Sequence, residues 1–157
     1  MIYLQFGSIQ GDATQSAHVN WIQLLSVNWG LTRPVSNPAG STAGRVLAAP
    51  RLAELSVTKD EDSATIPLIQ QALSGSPQDA TIDFISEATG DGLVYYSIAL
   101  KQAVITAFTQ GSSGDRPVET MTFNFTQISF SGTQIDTDGT AGAPSSYGWD
   151  VAANAPA

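Results

Sequence analysis

Alternation of apolar and polar positions with a period of two runs through most of the chain and predicts strands. In one run Trp21, Leu25, Val27, Trp29 and Leu31 share the odd phase, with Asn20, Ser26 and Asn28 opposite. Ile22 and Leu24 break that pattern, so both faces of this strand are expected to be partly covered. Ala53, Leu55 and Val57 alternate with Glu54, Ser56 and Thr58 in a second run, and Ala80, Ile82 and Phe84 with Asp79, Thr81 and Asp83 in a third. Gly90-Asp91-Gly92 then supplies residues that tolerate the positive φ of a hairpin turn. The return strand is long, with Val94, Tyr96, Ile98, Leu100, Val104 and Phe108 expected on one face. A further strand from Val118 carries its apolar residues at odd positions (Met121, Phe123, Phe125) and then at even ones (Ile128, Phe130). Because strand period is two, that switch at Thr126-Gln127 requires a bulge or a passage between core faces. A short last strand is expected over 147–152, after the polar stretch 136–144.

One segment follows a different period. Ile66, Ile69 and Leu73 fall at helical spacing, Ser63 or Thr65 can cap the start, Pro67 is tolerated in a first turn, and Gly75 can end the helix. One short α-helix among about seven to nine strands predicts an all-β domain, a small β-barrel plugged or flanked by that helix, with 1–157 as a single domain. Between two of the strands lies the loop Pro34-Val35-Ser36-Asn37-Pro38-Ala39-Gly40-Ser41-Thr42-Ala43-Gly44. Its length is unusual for a compact domain. It is either a loose hairpin end or an arm that orders against a neighbouring subunit.

Composition narrows the function. Charged residues are only 13% of the chain against 42% apolar, where an average soluble domain is about 25% charged. This fits a protein that covers much of its surface with copies of itself, and equally a small β-domain with a Ser/Thr/Gln-rich surface. Net charge is −8, and Lys59, Lys101, Arg33, Arg45, Arg51 and Arg116 are scattered; with no basic stripe, nucleic acid and anionic membrane surfaces are poor partners. There is no cysteine, which removes disulfides and thiol chemistry. The N-terminus reads as a first strand and not as a signal peptide, and no run approaches the roughly 18 apolar residues of a membrane span. Export, if it occurs, is expected to bypass the general secretory route.

Candidate chemistry is sparse. His18 lies in a polar turn with Asp12 as its nearest carboxylate in sequence, and a general base or metal site needs more partners than that. Asp60-Glu61-Asp62 can hold a hard cation in principle, but lacks the spacing of a calcium loop and sits where acidic residues favour the start of a helix. Asp136-Thr137-Asp138-Gly139 is better spaced but has no following Glu. Asp79 and Asp83 lie two pleats apart, roughly 13–14 Å by strand rise, farther than the ~5–9.5 Å that paired glycosidase carboxylates use. No nucleophile elbow, phosphate-binding loop or zinc-protease motif occurs. The expectation is a non-enzyme with no cofactor and no metal.

Read in order, several segments together resemble the haemolysin-coregulated protein (Hcp) family, the tube subunits of type VI secretion systems. They are Val27-Asn28-Trp29-Gly30, Leu55-Ser56-Val57-Thr58-Lys59-Asp60, Tyr95-Tyr96-Ser97-Ile98-Ala99-Leu100-Lys101, Gly111-Ser112-Ser113-Gly114-Asp115-Arg116, Thr120-Met121-Thr122-Phe123-Asn124-Phe125 and Tyr147-Gly148-Trp149-Asp150. The similarity runs from about residue 2 to the C-terminus. The resemblance implies a ring-forming, tail-tube-like fold: a homohexamer whose rings stack into a tube. That tube would meet sheath, spike and baseplate proteins, carry effectors in its lumen, be assembled in the cytoplasm and be released outside the cell. The loop 34–44 departs from the family pattern in being rich in Pro rather than Gly, and lysines are few. Two other readings stay open: a tube subunit of a phage-tail-like contractile particle, and a monomeric β-barrel that binds glycans or peptides on exposed Trp21, Trp29 or Trp149.

Overall fold

The computed structural model describes residues 1–37, 39–40, 44–87 and 92–157. Among these the chain forms β1 (Ile2–Phe6), β2 (Ile22–Leu24), β3 (Ser26–Asn28), β4 (Leu31–Thr32), β5 (Val35–Ser36), β6 (Val46–Leu47), β7 (Arg51–Leu52), β8 (Leu55–Asp60), α1 (Thr65–Ser74), β9 (Gln78–Ser86), β10 (Leu93–Gly111), β11 (Val118–Asn124), β12 (Gln127–Ile135), β13 (Ala141–Asp150) and β14 (Ala155–Pro156). The all-β class with one short helix is as expected. The strand count is higher, because the run 21–31 is divided among β2, β3 and β4 and because the small ribbons and the terminal β14 add short strands. Ten strands form the main sheet, and β4–β7 and β5–β6 form two small ribbons. No helix among the described residues is long and apolar enough to cross a membrane.

The sheet does not close into the expected barrel. All its ladders are antiparallel, and one run passes through β2, β1, β9 and β10 to β11, β8 and β3. Between its two ends, β2 bonds β1 up to Leu24, and β3 bonds β8 from Ser26. The strand changes partner at Leu25, whose amide bonds the Thr58 carbonyl at 2.7 Å. Leu25 thereby flips the phase. Ile22 and Leu24 are the core residues of this run, while Leu25, assigned by pattern to the apolar face, is 53% exposed.

The same device recurs in β10. Its ladder with β9 slips between Leu100 and Ala103, and its ladder with β11 slips between Ile105 and Ala107. Gln102, at φ 50°, occupies the first slip. Buried positions therefore run Ile98, Leu100, then Ala103, Ile105, and the single face expected from Val94 to Phe108 is broken. The switch read at Thr126-Gln127 does mark a break: β11 ends at Asn124 on the β8 side, and β12 resumes at Gln127 against β13. The last long strand starts earlier than expected, inside the polar stretch, and ends at Asp150. Of the hairpin glycines, Gly92 has φ +69°; Gly90 and Asp91 lie outside the described residues.

Leu4, Phe6, Ile22, Leu55, Val57, Leu68, Ile82, Ile98, Met121, Phe123 and Ile128 are fully buried in one core, with Phe6 edge-on to Phe123 at 5.2 Å. A smaller cluster of Tyr3, Ala13 and Ile85 lies apart from it, with Trp21 and Val94 packed against it. The helix has the predicted span, but the opposite face is inward. Ala64, Thr65 and Leu68 are buried, whereas Ile66 is 63% and Leu73 81% exposed. Neither Ser63 nor Thr65 caps it through its side chain; the Asp62 carboxylate accepts the Ala64 amide at 2.9 Å instead. Gly75, extended, ends the helix and donates its amide to the Gln71 carbonyl.

Candidate functional site

The described residues of the segment 34–44 belong to the far part of a two-stranded ribbon. The ladder that pairs Ser26 with Thr58 and Asn28 with Ser56 continues as Leu31 with Leu52, Thr32 with Arg51, Val35 with Leu47 and Ser36 with Val46. Pro34, Val35 and Ser36 are therefore ribbon and not loop. Alternating β-branched and polar residues favour extension here, and the Ala48 amide bonds the Pro34 carbonyl at 2.9 Å across it. Ala39 and Gly40 turn, Gly40 at φ +76°, and Asn37 and Gly44 flank the turn. Pro38, Ser41, Thr42 and Ala43 lie outside the described residues.

This arm exposes what a lone domain would bury. Leu31, Val35, Val46 and Leu47 are each about half exposed or more, up to 60% for Val46. An isolated two-stranded ribbon is marginally stable, and one with apolar residues on show fits a surface that another chain covers. At the arm's root Trp29 stacks on Phe130 at 4.7 Å. Beside it an apolar cleft of about 350 Å³ is lined by Leu31, Pro50, Leu52, Phe130, Tyr147 and Trp149, with Arg33 at its edge. The buried Nε1 of Trp149 has no acceptor among the described residues. Next to the cleft, β13 pairs β12 on one side, but on the other it meets β14 only at Trp149 and Asp150. Its stretch 141–147 is exposed, carries no charge, and has only Pro144 to discourage a further strand.

The face of β10, β12 and β13 turned away from the core carries a broad recess of about 460 Å³, where Ser97, Ser129, Ser131 and Ser146 lie beside the rings of Phe130 and Tyr147.

The remaining candidates are engaged in packing and local hydrogen bonds. His18 is 3% exposed, stacked on Tyr3 at 5.3 Å and edge-on to Trp21 at 4.5 Å. Its Nδ1 lies 2.8 Å from the Gln15 amide oxygen and its Nε2 2.8 Å from Asp83. Ser97 bonds the same Asp83 at 2.6 Å. The carboxylate therefore sits between hydroxyl and imidazole, and His18 cannot take the Ser97 proton as a general base would. Asp12, its neighbour in sequence, instead accepts the Ser63 hydroxyl at 2.5 Å; this bond, then the Ser63 amide, lowers the Asp12 pKa from its ordinary value. Asp79 accepts Lys101 at 2.6 Å and the Gln102 amide at 3.1 Å, and the Lys101 bond, then that amide, lowers its pKa. In the 136–140 turn Asp138 accepts both the hydroxyl and the amide of Thr140, which lower its pKa, the hydroxyl more. Among the described residues no group of three or more His, Cys, Asp or Glu side chains could hold a metal ion.

One constellation escaped the sequence reading. Lys59 and Glu119 are both fully buried, face each other across the β8–β11 ladder and pair at 2.7 Å. Asp62 approaches Lys59 at 2.8 Å, and Thr65 and Gln110 donate to Glu119 at 2.7 and 2.9 Å. The signal was present: Lys59 shares the odd phase of Leu55 and Val57, and Glu119 that of Met121 and Phe123. Of the acidic run, Asp62 thus pins the helix start.

Comparison with known proteins follows the fold closely. The family described as "Type VI secretion system effector, Hcp" matches residues 3–131. A solved type six secretion system protein superposes with TM-score 0.92 at 24% identity, over 99% of this chain and 98% of that one. An Hcp protein from Salmonella typhimurium gives 0.78 at 20% identity, over 99% and 97%. A type VI secretion system effector from Yersinia pestis gives 0.71 at 20%, over 96% and 100%. No curated protein matches the chain in sequence.

Proposed function

Because the chain belongs to the Hcp family of type VI secretion system proteins, we propose that it is a non-catalytic wall subunit that closes into hexameric rings and stacks them into a tube through its arm. The observation that carries this reading is the arm itself, a ribbon whose Leu31, Val35, Val46 and Leu47 are left bare. Lateral closure has its own support in the uncharged outer edge of β13 and the apolar cleft beside it. An incoming strand there would supply hydrogen-bond partners to that edge. A ring needs two different patches that meet head to tail, and repeated copies of a modest contact hold a stack by multivalency.

The serine-lined face of β10, β12 and β13 suits a lumen, since small polar groups pass a cargo without gripping it. In this reading the tube carries effectors, meets sheath, spike and baseplate proteins, forms in the cytoplasm and leaves the cell with the contraction that drives it.

Sedimentation of the purified chain with and without residues 36–42 tests the arm. The shortened chain is expected to keep single rings and lose the stacks. Equal stacking by both would remove the arm from the assembly.

A further inference from the structure

The ribbon that carries the arm is charged unequally along its length. Residues 31–52 include Arg33, Arg45 and Arg51 and no Asp or Glu, so the arm is cationic in a chain of net charge −8. At the other end of the same ribbon, where β8 ends, lies a recess of about 190 Å³ whose walls include Leu25, the carboxylates of Asp12, Asp60, Glu61 and Asp62, and one cation, Arg116. Asp62 is already engaged by Lys59 and Asp12 by Ser63. Glu61 is held only loosely, by Arg116 at 3.7 Å, with both side chains well exposed. Leu25 adds a half-exposed apolar side chain among these carboxylates.

The geometry separates the two charges. Ser26 pairs with Thr58 beside the recess and Val35 with Leu47 in the arm, about nine residues of extended ribbon or roughly 30 Å apart. The arm points away from its own recess and cannot reach it without unzipping the ribbon.

We propose that the recess receives the arm of a second copy of this chain, with arginines against Asp60 and Glu61 and the arm's bare aliphatic side chains over Leu25. This rests on the assembly reading above and names the surface the arm meets. The two patches differ and lie at opposite ends, so the contact repeats head to tail and propagates a stack. Opposite charges steer the approach and fix the register, and because both sides are exposed, added salt weakens the contact.

The test uses three full-length variants: Asp60→Lys with Glu61→Lys in the recess, Arg45→Glu with Arg51→Glu in the arm, and all four changes together. Stack length is followed by sedimentation at low and high salt, with ring integrity as the control for folding. Each one-sided variant is expected to keep its rings and to stack about tenfold more weakly at low salt. The combined variant, whose arm is acidic and whose recess is basic, is expected to stack again. A recess variant that stacks like the unaltered chain, or a combined variant that does not recover, overturns the proposal while leaving the tube reading intact. Failure of the unaltered chain to form rings overturns both.

Discussion

Lys59 can lose its partner in two unequal ways. In Lys59→Met, Glu119 stays buried with its counter-charge gone, and truncating one member of a buried pair costs about 3–5 kcal/mol. In Glu119→Gln, Lys59 keeps Asp62 at 2.8 Å, so the loss is expected to be smaller. The pair Lys59→Met with Glu119→Leu, which leaves no charge stranded, is expected to recover most of the stability. Urea unfolding of the three variants checks the order. Two phenols contribute to the alkaline limit. Burial raises the pKa of Tyr3, with a further contribution from the Glu87 charge, and burial raises that of Tyr96. The folded state therefore favours the neutral phenols. Their contribution is complete below the ordinary tyrosine pKa near 10 and is lost as pH rises through the higher folded values. Unfolding followed against pH is expected to show a falling alkaline limb that Tyr3→Phe and Tyr96→Phe flatten; an unchanged limb in both would place its cause elsewhere. On the acid side Asp79 has the opposite sign, its contribution fading as pH falls through its lowered value, but it is exposed and the effect is small.

At the scale of elements the helix is the instructive case. Leu68 is fully buried and Leu73 is 81% exposed, so Leu68→Ala is expected to cost about 2–5 kcal/mol and Leu73→Ser to stay within about 0.5 kcal/mol. Thermal or urea unfolding distinguishes them, and equal losses would contradict the orientation of α1. Spacing located this helix but chose the wrong face, because Ile66, Ile69 and Leu73 form as good a stripe as Ala64, Leu68 and Ala72. Periodicity reports that a stripe exists and not which neighbour it meets. The strands show the complementary limit. Leu55, Val57, Met121 and Phe123 were legible as core because no bulge interrupts them. The exposure of Leu25 and the break at Gln102 were not, because a change of partner or a one-residue bulge inverts every phase after it and leaves no mark when polar and apolar residues are mixed on both sides. The run 21–31 is cut where the strand changes partner at Leu25, giving β2 and β3, whereas β10 stays one strand through its slips. Of the candidate site, 34–44 stood out by its length alone. That Leu31 and Leu52 belong to it could not be read, since cross-strand register depends on contacts distant in sequence. The buried Lys59–Glu119 pair was within reach of the alternation, and was missed because charge was read as exposure.

For the whole molecule, the features left over after folding are of one kind: a bare ribbon at one end, an acidic recess at the other, an uncharged strand edge, and a recessed serine-rich face. Each is a liability in a monomer and a joint or a lining in a tube. The family supplies the context of type VI secretion, and these surfaces supply the way one chain could meet the next. Electron micrographs of the purified full-length chain at micromolar concentration test this most directly. Six-fold rings that stack end to end at low salt are the predicted result; monomers at every concentration and salt, with no ring in any field, would contradict it.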